Sequence, residues 1–507
     1  MRIGKHGMLL GCGLAAATCG WAQRTERPNV ILLVADDLGY GDLSCYGATR
    51  VHTPVVDSLA RHGVRFTDMH ACASTSTPSR YALLTGEYPF RRPGTDVAPG
   101  DAGMIIRPGQ FTMAELFRQA GYKTAAIGKW HLGLGDKTGE QDWNAPLDIT
   151  PRDIGFDYHY LMAATADRVP CVWIEDGRVC DWDANAPISV SYQHPFAGEP
   201  IAREHPEMLQ LRSSHGHDQA IVNGIGRIGY MKGGGHALWR DEDIADSIVA
   251  HAVRYIEANR AEPFFLYLCT NDVHVPRMPN ERFRGTSPMG LRGEAILQFD
   301  WTVGQISESL RRLGLDQNTL LIITSDNGPV LDDGYADRAW ELAGSHNPSG
   351  PYRGGKYSAY EGGSAVPYIV YWPGKVPAGT ISDALASHID LSRSLAQLLN
   401  QSVPADALPD SRALLAVMTG RSHRNCPFAL TMPNNRSIVM RQDRWKLIPP
   451  SKGPKEAWQT HIELGYSSEP QLYDIDRYRY EGVNLAQKNP KVVNRMMQQL
   501  NRTLQGR

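Results

Sequence analysis

Val30-Ile31-Leu32-Leu33-Val34-Ala35, followed at once by Asp36-Asp37, is the stretch on which the reading of this chain turns. Six consecutive apolar residues fit a strand buried on both faces, the environment of a parallel strand inside an α/β sheet. Outward from it, helix-like and strand-like runs alternate. Pro54 to His62 reads as a helix capped by Thr53, and Thr112 to Ala120 as another, ended by Gly121. Lys123 to Ile127 reads as a strand. The amphipathic run Asp241 to Ala258 precedes the apolar strand Phe264 to Leu268, and the helix Gly293 to Leu313 precedes the strand Leu320 to Thr324. This order predicts an α/β fold: a large, mostly parallel central sheet with helices on both faces. Residues 135–240 are rich in Gly, Pro, His and Asp and read as long loops with short elements, which in such folds shape the pocket. Past residue 395 the pattern changes. Strands within Ser437 to Leu447, a strand at Gln471 to Ile475 and a helix from Pro490 to Gln505 predict a smaller C-terminal α+β subdomain over 396–507, beside a main domain over 28–395.

Hydrophobic residues make up 42% of the chain and charged ones 21%, and the formal net charge is −2, so no basic excess favours nucleic acid as a partner. Arg2, Lys5 and His6, then the short apolar run Met8 to Thr18 and Gly20-Trp21-Ala22, read as a signal peptide over 1–22 and so as export, to the periplasm. Lipoprotein anchoring through Cys12 or Cys19, and an uncleaved tail, are the competing readings. No run approaches the roughly 18 apolar residues of a membrane span, so no transmembrane segment is expected. The six later cysteines form no C-x-x-C pair, which removes zinc-ribbon and thioredoxin-like chemistry, and sequence assigns no disulfide among them.

The most specific stretch is Ser76-Thr77-Pro78-Ser79-Arg80-Tyr81-Ala82-Leu83-Leu84-Thr85-Gly86. Pro78 and Ser79 suit a first helical turn and Gly86 its end, which sets residue 76 at a helix N-terminus, where N–H groups and the helix dipole favour an anion. Arg80, four residues on, falls on the same face. The stretch resembles the signature of the type I sulfatases of the alkaline phosphatase superfamily: Cys or Ser, one variable residue, Pro, Ser, Arg, four residues, then Thr-Gly. The resemblance runs from Pro28 to about residue 390, and it implies an alkaline phosphatase-like fold and hydrolysis of sulfate esters. It also implies that Ser76 is oxidised to formylglycine, by the anaerobic-type maturase that acts on serine in bacteria. One hydroxyl of the hydrated aldehyde then attacks sulfur, and the second expels sulfate.

Asp36 and Asp37 follow one apolar strand; Asp326 and Asn327 follow another. Ligand sites of open parallel sheets lie at the carboxyl ends of strands, so these two acidic pairs can converge. As bare dipeptides both are more often turns or caps. Together with the Ser76 segment they predict an oxygen-only site for a hard divalent ion, calcium ahead of magnesium. Gly39-Tyr40-Gly41-Asp42 also fits the family's opening run.

Lys129 and His131, two apart after a strand, are expected to project to one side of an extended backbone. The resemblance assigns Lys129 to sulfate and His131 to the proton of the second hydroxyl. It makes His274, in Asn271-Asp272-Val273-His274-Val275-Pro276, and Lys356, in Arg353-Gly354-Gly355-Lys356, the groups at the ester oxygen, either of which can protonate the leaving alcohol. Asp167, His215 and His217, with Asn271 and Asp272, are the substrate-binding candidates. Asp plus His looks like the pattern in carbohydrate sulfatases acting on galactose or N-acetylgalactosamine 6-sulfate, although these residues can equally fold their loop on itself. Trp173, Trp182 and Trp239 either stack on a sugar or fill the core. The predicted partner is therefore a sulfated carbohydrate. Two rivals stand beside this: a phosphodiesterase or phosphonate hydrolase of the same superfamily, and a non-enzymatic sulfoglycan-binding protein in which Ser76 stays unmodified.

Overall fold

Every residue of Asn29–Ala35 (β1) is buried, and the strand lies at the centre of a ten-stranded sheet in a computed structural model that describes residues 27–506. The other strands are Val64–Phe66 (β2), Lys123–Lys129 (β3), Tyr158–Met162 (β4), Trp173–Glu175 (β5), Arg178–Val179 (β6), Phe264–Cys269 (β7), Thr319–Ser325 (β8), Tyr368–Tyr371 (β9) and Thr380–Ser382 (β10). Their spatial order is β10-β2-β9-β8-β1-β7-β3-β4-β5-β6. The five strands from β8 to β4 run parallel, as the apolar runs predict. The flanks are mixed: β9 runs antiparallel to β8 and to β2, and β5 and β6 continue antiparallel from β4. Part of the region read as loop, 158–179, thus builds a sheet edge, joined by the loop 163–172 and a hairpin turn at Asp176-Gly177 rather than by crossover helices.

Two groups of helices cover the sheet. Pro54–His62 (α1) and Ile244–Ala258 (α4) pack on Gly290–Arg312 (α5), whereas Ser76–Thr85 (α2) packs on Met113–Gln119 (α3) and Leu391–Leu398 (α6). Buried α5 residues Ile296, Phe299, Val303, Ile306 and Leu310 recur at three- and four-residue spacing, the stripe of a core-facing helix. Asp300, on that helix, accepts the Val55 and Val56 N–H groups at 3.2 and 2.8 Å and so caps the start of α1 from a distance. Residues 241–243 form a separate 3-10 turn rather than the start of α4.

The C-terminal region is an antiparallel sheet of Ala429–Thr431 (β11), Val439–Gln442 (β12), Trp445–Ile448 (β13) and Gln471–Asp474 (β14), with Pro490–Leu504 (α7) against it. Its core, Leu430, Met440, Leu447, Leu472, Met496 and Leu500, is continuous with Cys72, Ala73 and Ile389 of the larger part. Helix α6 runs across the expected division at 395/396: its buried face, Leu391, Ser392 and Leu395, holds it to the larger part. The six cysteines among the described residues are all free thiols. Among those residues no helix is long and apolar enough to cross a membrane; the signal-peptide stretch, with Cys12 and Cys19, lies outside them.

Asp42 and Arg292 form a buried two-point ion pair, with both nitrogen–oxygen distances 2.7 Å, and His346 adds a contact at 2.8 Å. Burial pushes the Asp42 carboxyl up, but Arg292 and His346 outweigh it and bring its pKa to about 2. A depressed carboxylate contributes stability that is present above its unfolded value of about 4 and lost as pH falls through the folded value. Asp42→Asn is therefore expected to cost about 3 kcal/mol at pH 7, because Arg292 is left buried and unpaired. It should also flatten the acid limb of stability between pH 4 and 2. Denaturant midpoints across that range check both, and wild-type values from the variant would show the pair to be idle.

Candidate active site

The register of the central strands brings the catalytic candidates together. Ala35 pairs with Ser325, so Asp36-Asp37 and Asp326-Asn327 leave the sheet side by side. Cys269 pairs with Gly128 one strand further on, which brings Lys129 to the same end. Helix α2 begins here. Thr75 is its N-cap residue, Ser76 its first helical residue, and Gly86, at φ +58°, closes it with an N–H to the Ala82 carbonyl. The Ser79 hydroxyl both accepts from Ala73 N and donates to Ala73 O, which fixes the loop ahead of Ser76. Gly328 follows the acidic pair where a Cβ would lie 1.8 Å from the Gly362 carbonyl oxygen, so only glycine fits.

Ser76 Oγ donates to Asp326 Oδ2 at 2.5 Å and accepts from Arg80 Nε at 2.9 Å. Arg80 also reaches Asp326 through Nη2 at 2.8 Å. Lys129 Nζ contacts Asp36 Oδ1 at 2.5 Å. Asn327 Nδ2 donates to Asp37 Oδ1 at 2.7 Å, and Lys356 Nζ donates to Asp37 Oδ2 at 2.8 Å. All of these side chains are buried. Asp36, Asp37, Asp326, Asn327, Ser76, Arg80, Lys129 and Lys356 thus form one cluster.

Two buried oxygens in it, Asp36 Oδ2 and Asn327 Oδ1, have no hydrogen-bond partner. A buried acceptor without a donor is costly, and these two sit among three carboxylates, a donor set that fits a hard cation. Asp36 and Asp37 also offer ligand atoms within 4.8 Å of one from His274, so the acidic cluster is a candidate metal site. His274 reaches this end of the sheet from the loop after β7, not from a strand end.

The charges shift one another strongly. Burial raises the Asp326 carboxyl, but Arg80 and then Lys129 outweigh it and hold it far below the usual range. Burial lowers the Lys129 ammonium against the pull of Asp36. Burial would also lower Lys356, yet Asp333, 2.8 Å away, and Asp37 raise it well above an ordinary lysine. Burial, reinforced by the Lys129 cation, drives His131 well below its ordinary value, so its ring is neutral at pH 7.

His131 does not continue an extended strand. The strand stops at Lys129, and His131 has φ +57°, a left-handed conformation that breaks the predicted alternation. Its Nε2 lies 3.0 Å from the Ala98 carbonyl, which can only accept; Nε2 therefore carries the proton, and buried Nδ1, with no partner, is left as the base. By the same reasoning His274 donates from Nδ1 to Val275 O at 2.6 Å, and its Nε2 faces Lys356 Nζ at 3.5 Å.

A cleft of about 330 Å³ opens over this cluster, lined by Ser76, His131, His274, Lys356, Asp167, His215 and His217. Asp167 is buried between Arg168, at 2.8 Å, and His217 Nε2, at 2.9 Å. Burial raises its carboxyl, and Arg168 with His217 outweighs this and keeps it ionised. His215 lies further out, 3.8 Å from Asp332. Asn271 and Asp272 are not among the residues that line the cleft. Asn271 Oδ1 accepts from Ala166 N at 3.4 Å and steadies the Asp167 loop. Asp272 accepts from Gln298 of α5 at 2.7 Å, and burial lifts its pKa to about 7. Trp173 and Trp239 are core residues with ring centres 5.7 Å apart; Trp182 donates to Asn144 Oδ1 at 3.0 Å.

Sequence reasoning missed Asp333, Tyr357 and the C-terminal contribution of Asn434, Gln459 and Thr460 to the cleft. Asp332-Asp333-Gly334, shortly after Asn327, was a usable signal for the first. Nothing local marks the C-terminal residues.

Comparison with known proteins agrees with this geometry. Residues 28–401 match the Sulfatase family, and the chain belongs to it. It is a sulfuric ester hydrolase. It is 49% identical over 94% of its length to a curated N-acetylgalactosamine-6-O-sulfatase of Bacteroides thetaiotaomicron, covering 93% of that protein. It is 32% identical to human arylsulfatase D, over 79% of this chain and 70% of that one. A solved structure described in terms of glycosaminoglycan metabolism by Bacteroides thetaiotaomicron superposes with a TM-score of 0.93 at 48% identity, covering 95% of this chain and 100% of that one.

Proposed function

We propose that the chain removes the 6-O-sulfate of galactose or N-acetylgalactosamine units, with Ser76 converted to formylglycine and a calcium ion held by Asp36, Asp37, Asp326 and Asn327. The observation that carries this is the placement of Ser76 Oγ, 2.5 Å from Asp326 and 2.9 Å from Arg80, at the floor of the cleft. The ion supplies electrophilic assistance at the sulfate oxygens. A formylglycine at position 76 would offer, as its hydrate, one hydroxyl for attack on sulfur and a second for release of sulfate. The chain's own residues do the rest. Arg80, Lys129 and Lys356 give a monoanionic ester a desolvated, positive seat. His131 Nδ1 accepts the proton that leaves the second hydroxyl. Conversion of Ser76 calls for an anaerobic-type maturase as partner, and the basic, apolar, small-residue start of the chain supports export to the periplasm.

The leaving alcohol takes its proton from His274. Lys356 sits 3.5 Å away, but its ammonium is engaged by Asp37 and Asp333, each at 2.8 Å, which hold the proton on it. His274→Gln should lower kcat/KM on a sugar 6-sulfate by on the order of 100-fold, and by less than about tenfold on a nitrophenyl sulfate, whose leaving group needs no proton. Equal losses on the two esters would move the role to Lys356.

Sugar selection falls to Asp167 and His217. An ionised carboxylate and an imidazole 2.9 Å apart can grip one hydroxyl of fixed orientation. The support is their place in the cleft and the likeness to the N-acetylgalactosamine-6-O-sulfatase. Desulfation of a panel of sulfated monosaccharides by the matured enzyme tests it. Galacto-configured 6-sulfates should exceed gluco-configured ones by at least about 100-fold. Equal turnover of the two would remove Asp167 and His217 from recognition. Faster turnover of phosphodiesters than of any sulfate would favour the superfamily rival.

A further inference from the structure

Two indoles stand in water beside residues that line the cleft, and nothing in sulfate hydrolysis uses them. Trp458 is 73% exposed and Trp340 is 51% exposed. Leaving such side chains in water forfeits the burial that normally stabilises them, so their placement calls for an occupant. Trp458 lies in a turn whose other members, Ala457, Gln459 and Thr460, line the same cleft as Ser76. The turn is held by Thr460 N to Ala457 O at 3.2 Å, between the paired strands Glu456–Ala457 and Ile462–Glu463. That hairpin is tied to the catalytic part by Arg353, which grips Glu463 at 2.8 and 2.6 Å, and by Ser358 Oγ to Glu463 O at 2.6 Å.

Trp340 comes from a separate stretch, the one that leaves the cleft at Asp333 and is anchored by the buried Asp337–Arg277 pair at 2.6 Å. Its ring meets His461 of the hairpin with centres 5.0 Å apart. Two stretches far apart in sequence thus place aromatic rings on one rim that is continuous with the cleft. The hydroxyls of a pyranose lie around its edge and its C–H groups face outward from the ring, so it presents an apolar face that stacks on indole while its edges hydrogen-bond to groups such as Gln459.

We propose that Trp458, Trp340 and His461 form a second saccharide subsite, which takes the sugar joined to the sulfated one, so that the preferred substrate is a sulfated oligosaccharide rather than a free monosaccharide. The inference rests on the carbohydrate 6-sulfate reading above. The test uses the matured full-length enzyme, Trp458→Ala and Trp340→Ala, a 6-sulfated N-acetylgalactosamine monosaccharide, and an oligosaccharide ending in the same sulfated unit. The wild type should show a kcat/KM about tenfold higher on the oligosaccharide. Trp458→Ala should remove that advantage through KM while changing monosaccharide turnover less than twofold, and Trp340→Ala should remove part of it. In a measurement independent of turnover, the desulfated oligosaccharide should quench tryptophan fluorescence of the wild type and not of Trp458→Ala. Equal kcat/KM on the two substrates in wild type and variants, with no quenching, would overturn the subsite and leave sulfate hydrolysis standing. Sulfate release from neither substrate would overturn the 6-sulfate reading, and the subsite with it.

Discussion

Ser76→Ala is expected to lower kcat for sulfate release by a factor on the order of 10⁴ or more while the chain stays folded. The variant loses the only atom at this position that can become or carry a nucleophile. Its structural cost is small. Arg80 keeps contacts with Asp326 at 3.0 and 2.8 Å when the hydroxyl is gone, so the buried carboxylate is not orphaned and the loss is about 1 kcal/mol. Sulfate assays beside a thermal melt separate the two effects. The wild-type peptide carrying residue 76 should be about 2 Da lighter than its sequence requires, the loss of two hydrogens. An alanine variant that still turned over, or an unconverted peptide in an active enzyme, would refute the nucleophile assignment.

Removal of the metal is expected to cost nearly as much. Three buried carboxylates, with Asp36 Oδ2 and Asn327 Oδ1 unpartnered, gather at the carboxyl ends of β1 and β8. A chelator should lower activity by about 1,000-fold and lower the melting temperature in the same titration. A ligand at 100 times its Kd adds about 2.7 kcal/mol to the folded state. Calcium should restore both signals at lower concentration than magnesium, because several protein oxygens in an irregular shell suit the larger ion. Full activity and an unchanged melt after exhaustive chelation would leave the cluster a purely internal charge network.

Much of this site was legible because strand ends are legible. An apolar run that stops at Asp-Asp or Asp-Asn announces both a buried parallel strand and the place where its chain emerges, and β1 and β8 each do so. The Ser76 segment was legible for a local reason: the spacing of Ser76, Pro78, Arg80 and Gly86 is that of one short helix. What escaped depends on non-local geometry. His131 adopts a left-handed conformation that nothing in Gly128-Lys129-Trp130-His131 demands. Asp272, two residues before His274, bonds Gln298 of α5, and Val273 between them has φ +80°. The strands at 158–179 are two to five residues long, so they carry little periodicity. Trp173 and Trp239 could not be told from Trp458 by residue type, and only burial distinguishes core from rim.

The hairpin at 456–463 lies beyond residue 401, where the family match ends. Every group proposed to handle sulfate is encoded before that point, and part of the cleft wall, Asn434, Gln459 and Thr460, is encoded after it. The later stretch is riveted on through Arg441 to Glu361 and through backbone bonds between Met432 and Cys72 and Ser74, so neither half is a free module. Chemistry and clientele therefore occupy separate reading frames of selection in one polypeptide. A transplanted hairpin of different length is a route to a new glycan without disturbing a single atom at the sulfur.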